Sequence, residues 1–229
     1  MSKNDVILGM LLNGNGGGGG QGEQYQILSY IQSNGTQAIK LVDSMSEVPR
    51  IEVAFAFIGD EDYKWILGAE GANSEWFGVQ VNVGSSSNNV RVHKSSSKAF
   101  SGAKSHKGDL IYCTIDGSVG NLSWYLISGN SSLVTGSLNP SFESLSGLYA
   151  FGIGRINYET EVSSKITAKL HYIRLDNELF LPAKRVNDGV CGLLNIATHQ
   201  FLTDCMAGDP FVAGDVIGTI RALVCREEA

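Results

Sequence analysis

Charge is scarce in this chain. Only 17% of its 229 residues are Asp, Glu, Lys or Arg, with 17 basic against 23 acidic side chains and a formal net charge of −6. Affinity for a phosphate backbone is carried by clustered cations, so this balance argues against nucleic acid as a partner. Proline is rarer still, at four residues, and no apolar run reaches the roughly eighteen residues that a membrane-spanning helix requires. Cysteine is also sparse: Cys113, Cys191, Cys205 and Cys225 are widely spaced and form no C-x-x-C pair. That spacing excludes a zinc ribbon or a thioredoxin-like motif, and it is too dilute for a disulfide-framed secreted module. Free thiols acting as small hydrophobes are expected, with a Cys191–Cys205 bridge as the one alternative. Catalytic signatures are missing too, since no Ser-His-Asp order, G-x-S-x-G elbow or H-E-x-x-H occurs.

The chain does have grease and turns. Hydrophobic residues make up 43% of it, enough for a core, and 28 glycines sit among abundant Ser and Asn. The first thirteen residues, MSKNDVILGMLLN, place Val6, Ile7, Leu8, Met10, Leu11 and Leu12 in one apolar segment. It imitates a secretory leader but carries Asp5 and lacks a small-residue cleavage site, so it is expected to be retained. A tract over 14–24 follows, in which seven of the nine residues 14–22 are glycine. Such a tract behaves as a loose tether. A short apolar segment on a leash builds no core of its own, so residues 1–13 read as an assembly anchor, with a back-folded terminus as the plainer alternative.

From residue 25 to 214 the pattern is that of strands. Apolar and polar residues alternate, or β-branched and aromatic residues cluster, over 26–32, 36–42, 50–58, 63–69, 76–83, 90–94 and 110–115. The pattern continues over 121–127, 148–154, 166–175, 179–184, 190–196 and 200–203. In IEVAFAF, Ile51, Val53, Phe55 and Phe57 share one face; in WFGVQVNV, Phe77, Val79, Val81 and Val83 do so. With no helical crossover rhythm, the expected fold is all-β, a two-sheet antiparallel sandwich. The ending, 215–229, fits either a helix capped by Asp215 or a last strand, and offers a subunit contact.

Two stretches carry a family resemblance. One is ILSYIQSNGTQAI (27–39), with its Asn34-Gly35-Thr36-Gln37 turn. The other is ITAKLHYIRLDNELFLPAKRVNDGVCGLLNIATHQFLTDCMAGDPFVAG (166–214), where a long strand is followed by PAKR, a DGV turn and GLLN. Both resemble the LamG-like, concanavalin A-like jelly-roll domains found in virion and tail-fibre proteins of bacteriophages and prophages. Pro182 lacks a ladder donor and belongs at a strand end or a sheet edge, while Asn187-Asp188-Gly189 is a tight-turn sequence. The resemblance implies a jelly-roll sandwich and a virion component made in a bacterial cytoplasm. That component would be a tail fibre or capsid decoration, docked to other virion proteins through 1–13. A homo-oligomer, with a trimer as the guess, is the expected assembly.

Chemistry is thin. Glycosidases of this fold need a close carboxylate pair. The candidates, Glu159/Glu161 and Asp176/Glu178, lie in a polar connection and a tight turn, where solvated loop charge is the better reading. The expectation is therefore no enzyme. Asp60, Glu61 and Asp62 crowd oxygens after a strand, which raises calcium as an idea, but no cofactor is expected. A host-surface glycan would be met by exposed aromatics with polar neighbours: Trp76 and Tyr158 are the ligand-binding candidates, with Asp60 and Asp62. Trp65 and Trp124 read as partly core. A glycan-degrading enzyme or a secreted lectin-like protein of the same fold is the alternative.

Overall fold

A computed structural model describes residues 23–45, 49–71, 75–83, 90–94, 99–101, 105–116, 122–128, 134–138, 145–156 and 161–221. They form twenty strands. In chain order the first seven are β1 (Gln24–Leu28), β2 (Ile31–Asn34), β3 (Ile39–Val42), β4 (Ile51–Phe57), β5 (Lys64–Glu70), β6 (Trp76–Val81) and β7 (Val90–Lys94). Next come β8 (Ala99–Ser101), β9 (Ile111–Asp116), β10 (Leu122–Ser128), β11 (Val134–Leu138), β12 (Leu148–Ala150), β13 (Ile153–Gly154) and β14 (Val162–Ser163). The last six are β15 (Thr167–Leu175), β16 (Glu178–Arg185), β17 (Cys191–Asn195), β18 (Phe201–Leu202), β19 (Val212–Ala213) and β20 (Val216–Arg221). No helix occurs among the described residues.

The strands make two sheets. The larger runs β11-β10-β9-β4-β15-β16-β1-β20, with β2 against β15 and β19, and β17 against β16 and β18. The smaller runs β14-β13-β5-β6-β7-β8, with β12 joining β3 to β5. Pairing is antiparallel except where β13 meets β5. Alternation explains how the sheets pack. Val53, Phe55 and Phe57 of the larger sheet and Phe77, Val79, Val81 and Val92 of the smaller one meet in a single buried cluster. The chain is therefore an all-β protein whose two sheets share one core, consistent with a β-sandwich.

A second, smaller cluster lies elsewhere on the larger sheet, where Tyr25, Ile27, Leu181, Ala183 and Leu194 are buried. Ile220 packs against it, and β20 runs along β1 in the register Tyr25↔Ile220 and Gln26↔Thr219. This settles the ambiguous ending over 216–221 as strand: β1 offers a ladder and an apolar patch that a helix at that position would forgo.

Several expectations need correction. The run 26–32 is two strands, because the chain breaks at Ser29–Tyr30 and leaves β1 for β2. The Ser29 amide and hydroxyl bond there to the Asp215 carbonyl and amide at 2.8 and 3.0 Å. The run 148–154 is likewise split, at Phe151, whose φ is +62°. Pro182 is neither at a strand end nor at an edge: it stands inside β16, opposite Leu193 of β17. Along its other flank β16 pairs with β15 up to Phe180 and with β1 from Ala183 onward. The proline thus occupies the handover between two neighbours, where no ladder bond is required of it. The Asn187-Asp188-Gly189 turn forms as read, with Gly189 at φ +75° and its amide on the Arg185 carbonyl at 2.9 Å.

The 34–37 turn is held by a buried side chain. Gln37 Oε1 accepts from Ser33 Oγ at 2.9 Å and from the Asn34 amide at 3.0 Å, while Nε2 donates to the Asp209 carbonyl at 2.6 Å. Gln37 thereby clamps two segments 172 residues apart. The resemblance at 27–39 consequently marks a structural joint.

Candidate functional site

The residues facing away from the core on the smaller sheet are not the usual solvated set. Phe77, Val79 and Val81 of β6 point inward, so Trp76, Gly78 and Gln80 point outward. Register aligns the neighbours: Gln80 lies opposite Trp65 on one side and Arg91 on the other, Gly78 opposite Gly68 and His93, and Trp76 opposite Glu70. The result is a patch of Trp65, Trp76, His93, Gln80 and Glu70. Its aromatic rings and polar groups are held at close quarters.

His93 is the hub of this patch. Its Nε2 lies 2.9 Å from Gln80 Oε1, and its ring centroid is 4.9 Å from that of Trp65 and 6.4 Å from that of Trp76. Only 7% of His93 is exposed. Burial, with a lesser push from Arg91, lowers its pKa to about 4, so the ring is neutral at physiological pH. A neutral ring bonded to the amide oxygen of Gln80 donates from Nε2 and leaves Nδ1 as an acceptor.

Gly78 makes the arrangement sterically feasible. Its φ is +134°, and a Cβ there would stand 2.1 Å from the Leu67 carbonyl oxygen. Beside it, β5 carries an irregularity between Trp65 and Leu67 that puts Trp65 on the outer face. At the far end Glu70, 4% exposed, is paired with Arg155 at 3.0 Å and accepts from the Ile156 amide at 3.1 Å. Those bonds tie the segment after β13 to the patch.

Trp76 differs from the others. It is half-buried, and its indole Nε1–H is shielded yet has no hydrogen-bond partner among the described residues. A screened donor without an acceptor is unfavourable in isolation and becomes useful when a ligand oxygen supplies the missing bond.

The other sequence candidates are dispersed. Asp60 lies in the β4–β5 connection, where both carboxylate oxygens accept from Lys107 Nζ, at 2.9 and 2.8 Å. Asp62 follows in the same connection and also has interactions of its own. Neither belongs to the Trp76 patch, and among the described residues no three His, Cys, Asp or Glu side chains converge as metal ligands. Tyr158, Glu159 and the anchor residues Val6, Ile7, Leu8, Met10, Leu11 and Leu12 lie outside the described residues. Trp124 is in β10. Trp65 is buried, as expected, but in the outer patch instead of the shared core.

The acid pairs are occupied elsewhere. Glu161 accepts from Lys40 Nζ at 2.8 Å and from the Tyr149 hydroxyl. Lys40 and then Tyr149 hold its carboxyl below the ordinary carboxylate range. Asp176, at φ +50° in the β15–β16 turn, accepts from the Arg50 amide at 2.8 Å, and Glu178 accepts from Asn195 Nδ2 at 3.1 Å. Two adjoining hollows of about 520 and 650 Å³ share Val42 and Glu178, and Lys40, Asp43, Gln200 and Thr203 line the larger. Cys113, Cys191 and Cys205 are free thiols. Cys205 donates to the Ala38 carbonyl at 3.2 Å, so the Cys191–Cys205 bridge is absent.

Sequence reasoning singled out Trp76 and did not single out its neighbours His93 and Gln80. The alternation of WFGVQV placed Gln80 outward and 90–94 was read as a strand, but only the β6–β7 register brings His93 to Gln80.

These features define a class, an all-β two-sheet protein with an aromatic and amide cluster on the face of its smaller sheet turned away from the shared core, buried except at Trp76. No family model matches the chain, and no curated protein does.

Proposed function

We propose that this chain is a non-enzymatic structural subunit of a bacteriophage particle. In this reading it is a concanavalin A-like jelly-roll appendage of the tail or capsid, docked through residues 1–13. Of the cluster on the outer face of the smaller sheet only Trp76 keeps partial exposure, and its ring contacts a host-surface glycan. The particle assignment rests on the resemblance over 166–214 and on the apolar segment with its glycine tether. One structural observation carries the glycan contact: the half-buried Trp76 keeps a shielded indole donor unbonded beside His93 and Gln80. A sugar ring offers an apolar face for the indole and hydroxyl oxygens for the donor.

Against an enzymatic reading, Glu161 is committed to Lys40 and Tyr149, and Asp176 and Glu178 hold backbone and amide partners. Retaining hydrolysis would need two carboxyls about 5–5.5 Å apart with their protons free to move.

Two measurements test the proposal. Mass spectrometry of purified particles should detect the chain; its absence from every particle fraction would remove the virion role. Calorimetry against a panel of bacterial O-chain and capsular polysaccharides should find a binder whose affinity drops by about tenfold in Trp76→Ala. Equal affinity in the variant would move the contact elsewhere.

A further inference from the structure

The turn between β2 and β3 joins a reactive dipeptide to tight restraint. In Asn-Gly the amide nitrogen of the second residue attacks the side-chain carbonyl carbon of the first most readily, because glycine has no Cβ to obstruct the approach. The chain holds three such dipeptides, at 13–14, 15–16 and 34–35. Of these only Asn34-Gly35 lies among the described residues.

Both reacting groups are held back. Attack at neutral pH requires the Gly35 amide to give up its proton, and that N–H donates to Ser33 Oγ at 3.0 Å. Ser33 is fully buried and its own hydroxyl donates to Gln37 Oε1 at 2.9 Å, so this acceptor is no base and screens the amide from solvent. The carbonyl is pinned as well. Asn34 Oδ1 accepts from the Thr36 amide and hydroxyl at 3.1 and 2.7 Å, and Nδ2 donates to Asp209 Oδ2 at 3.1 Å. Asn34 is exposed, yet its head group is fixed at both ends, and ring closure must draw Cγ toward the Gly35 nitrogen against that grip. An amide bonded in this way loses its proton through local opening of the fold.

We propose that Asn34 is a self-modification site gated by the Gln37 clamp: it loses ammonia when the turn opens, and its product loosens the segment over 204–211. In the open turn the Gly35 nitrogen bonds to Asn34 Cγ, the Cγ–Nδ2 bond breaks, and ammonia leaves with the proton given up by Gly35. Water then opens the cyclic imide at either carbonyl, giving aspartate or isoaspartate at position 34. Neither product restores the joint. The Nδ2 donor is gone, and a carboxylate faces Asp209 at hydrogen-bond distance. Isoaspartate also adds one methylene to the main chain inside the turn. The segment affected is the one that Gln37 holds through the Asp209 carbonyl, and it delivers Phe211 to the core, 5.3 Å from Phe151 between ring centroids. The change is one-way. It involves neither the particle assignment nor the Trp76 contact, so those readings stand or fall separately.

The test ages the full-length chain at neutral pH beside a synthetic peptide of residues 27–40. Mass spectrometry with electron-transfer fragmentation assigns each Asn-Gly site and separates aspartate from isoaspartate. Asn34 should react about tenfold or more slowly in the chain than in the peptide. Asp209→Ala frees the head group at an exposed position, and Gln37→Leu removes the anchor of Ser33. Each should speed the reaction by about threefold or more over the parent chain. Val79→Ala truncates the core in β6, away from the turn, and controls for general destabilisation; its Asn34 rate should stay within about twofold of the parent. Equal rates in chain and peptide would overturn the gate. So would clamp variants no faster than the parent, or a Val79→Ala chain that reacts as fast as they do. Deamidated chains, resolved from the parent by anion exchange, should show hydrogen exchange over 204–211 faster by about fivefold or more. Unchanged exchange there would overturn the loosening.

Discussion

His93 shows how one side chain couples position to pH. Its pKa of about 4 in the folded chain lies below the roughly 6.5 of an exposed imidazole, because burial disfavours the cation. The unfolded chain therefore takes up a proton first as pH falls. The stabilisation is complete above about pH 6.5, declines below it and is gone near pH 4, a total of about 3 kcal/mol. Urea titrations from pH 7 to 4 should show that loss in the parent and a clearly shallower one in His93→Gln; parallel curves would refute the assignment. Gln37 makes a different kind of contribution. Gln37→Leu leaves the buried Ser33 hydroxyl and the part-buried Asn34 amide without their acceptor, so a loss of about 2 kcal/mol in chemical denaturation is expected. At Gly78 the obstacle is backbone. A methyl group at φ +134°, 2.1 Å from the Leu67 oxygen, must separate β5 from β6, so Gly78→Ala should cost about 3 kcal/mol or more and disorder the patch.

At the scale of elements, the patch is a property of three adjacent strands. β5 brings Trp65 and Glu70, β6 brings Trp76 and Gln80, and β7 brings His93; none of them alone assembles the cluster. Trp76→Phe is therefore the informative substitution beside Trp76→Ala. The phenyl ring keeps an apolar face but removes the indole donor, so it should retain part of the glycan affinity lost in Trp76→Ala while leaving thermal stability within about 1 kcal/mol of the parent. A Phe variant as weak as the Ala variant would place the whole contribution on the donor. The β15–β16 hairpin has a structural task instead: its Asp176 holds the Arg50 amide at the entrance to β4, and its Glu178 steadies Asn195. The carboxylates there fasten connections.

For the whole molecule, the shared core draws on strands of both sheets, with described members running from Leu28 to Phe211. A chain starting at residue 23 should then remain folded, with a melting temperature within a few degrees of the parent, and should fail to join particles. Loss of cooperative melting on truncation would mean that the segment completes the fold; particle assembly without it would remove the anchor role.

The period-two alternation of strands such as IEVAFAF and WFGVQV determined the all-β character and the inward faces, since a pleated backbone sends successive side chains to opposite sides whatever lies beyond. Turn chemistry was equally local, which is why Asn187-Asp188-Gly189 could be read directly. Position in the sheet was not local. Pro182 looked like an edge residue until β15 and β1 were seen to share one flank of β16, and 216–221 could have been a helix until β1 offered its ladder. The Trp76 patch depends on pairing too: His93 is 17 residues from Trp76 and 28 from Trp65 in the chain, and only the register of three strands brings the rings together. Short-range sterics write themselves into the order of residues, but the choice of neighbour is made by the global burial of both sheets at once, and no single segment carries that information.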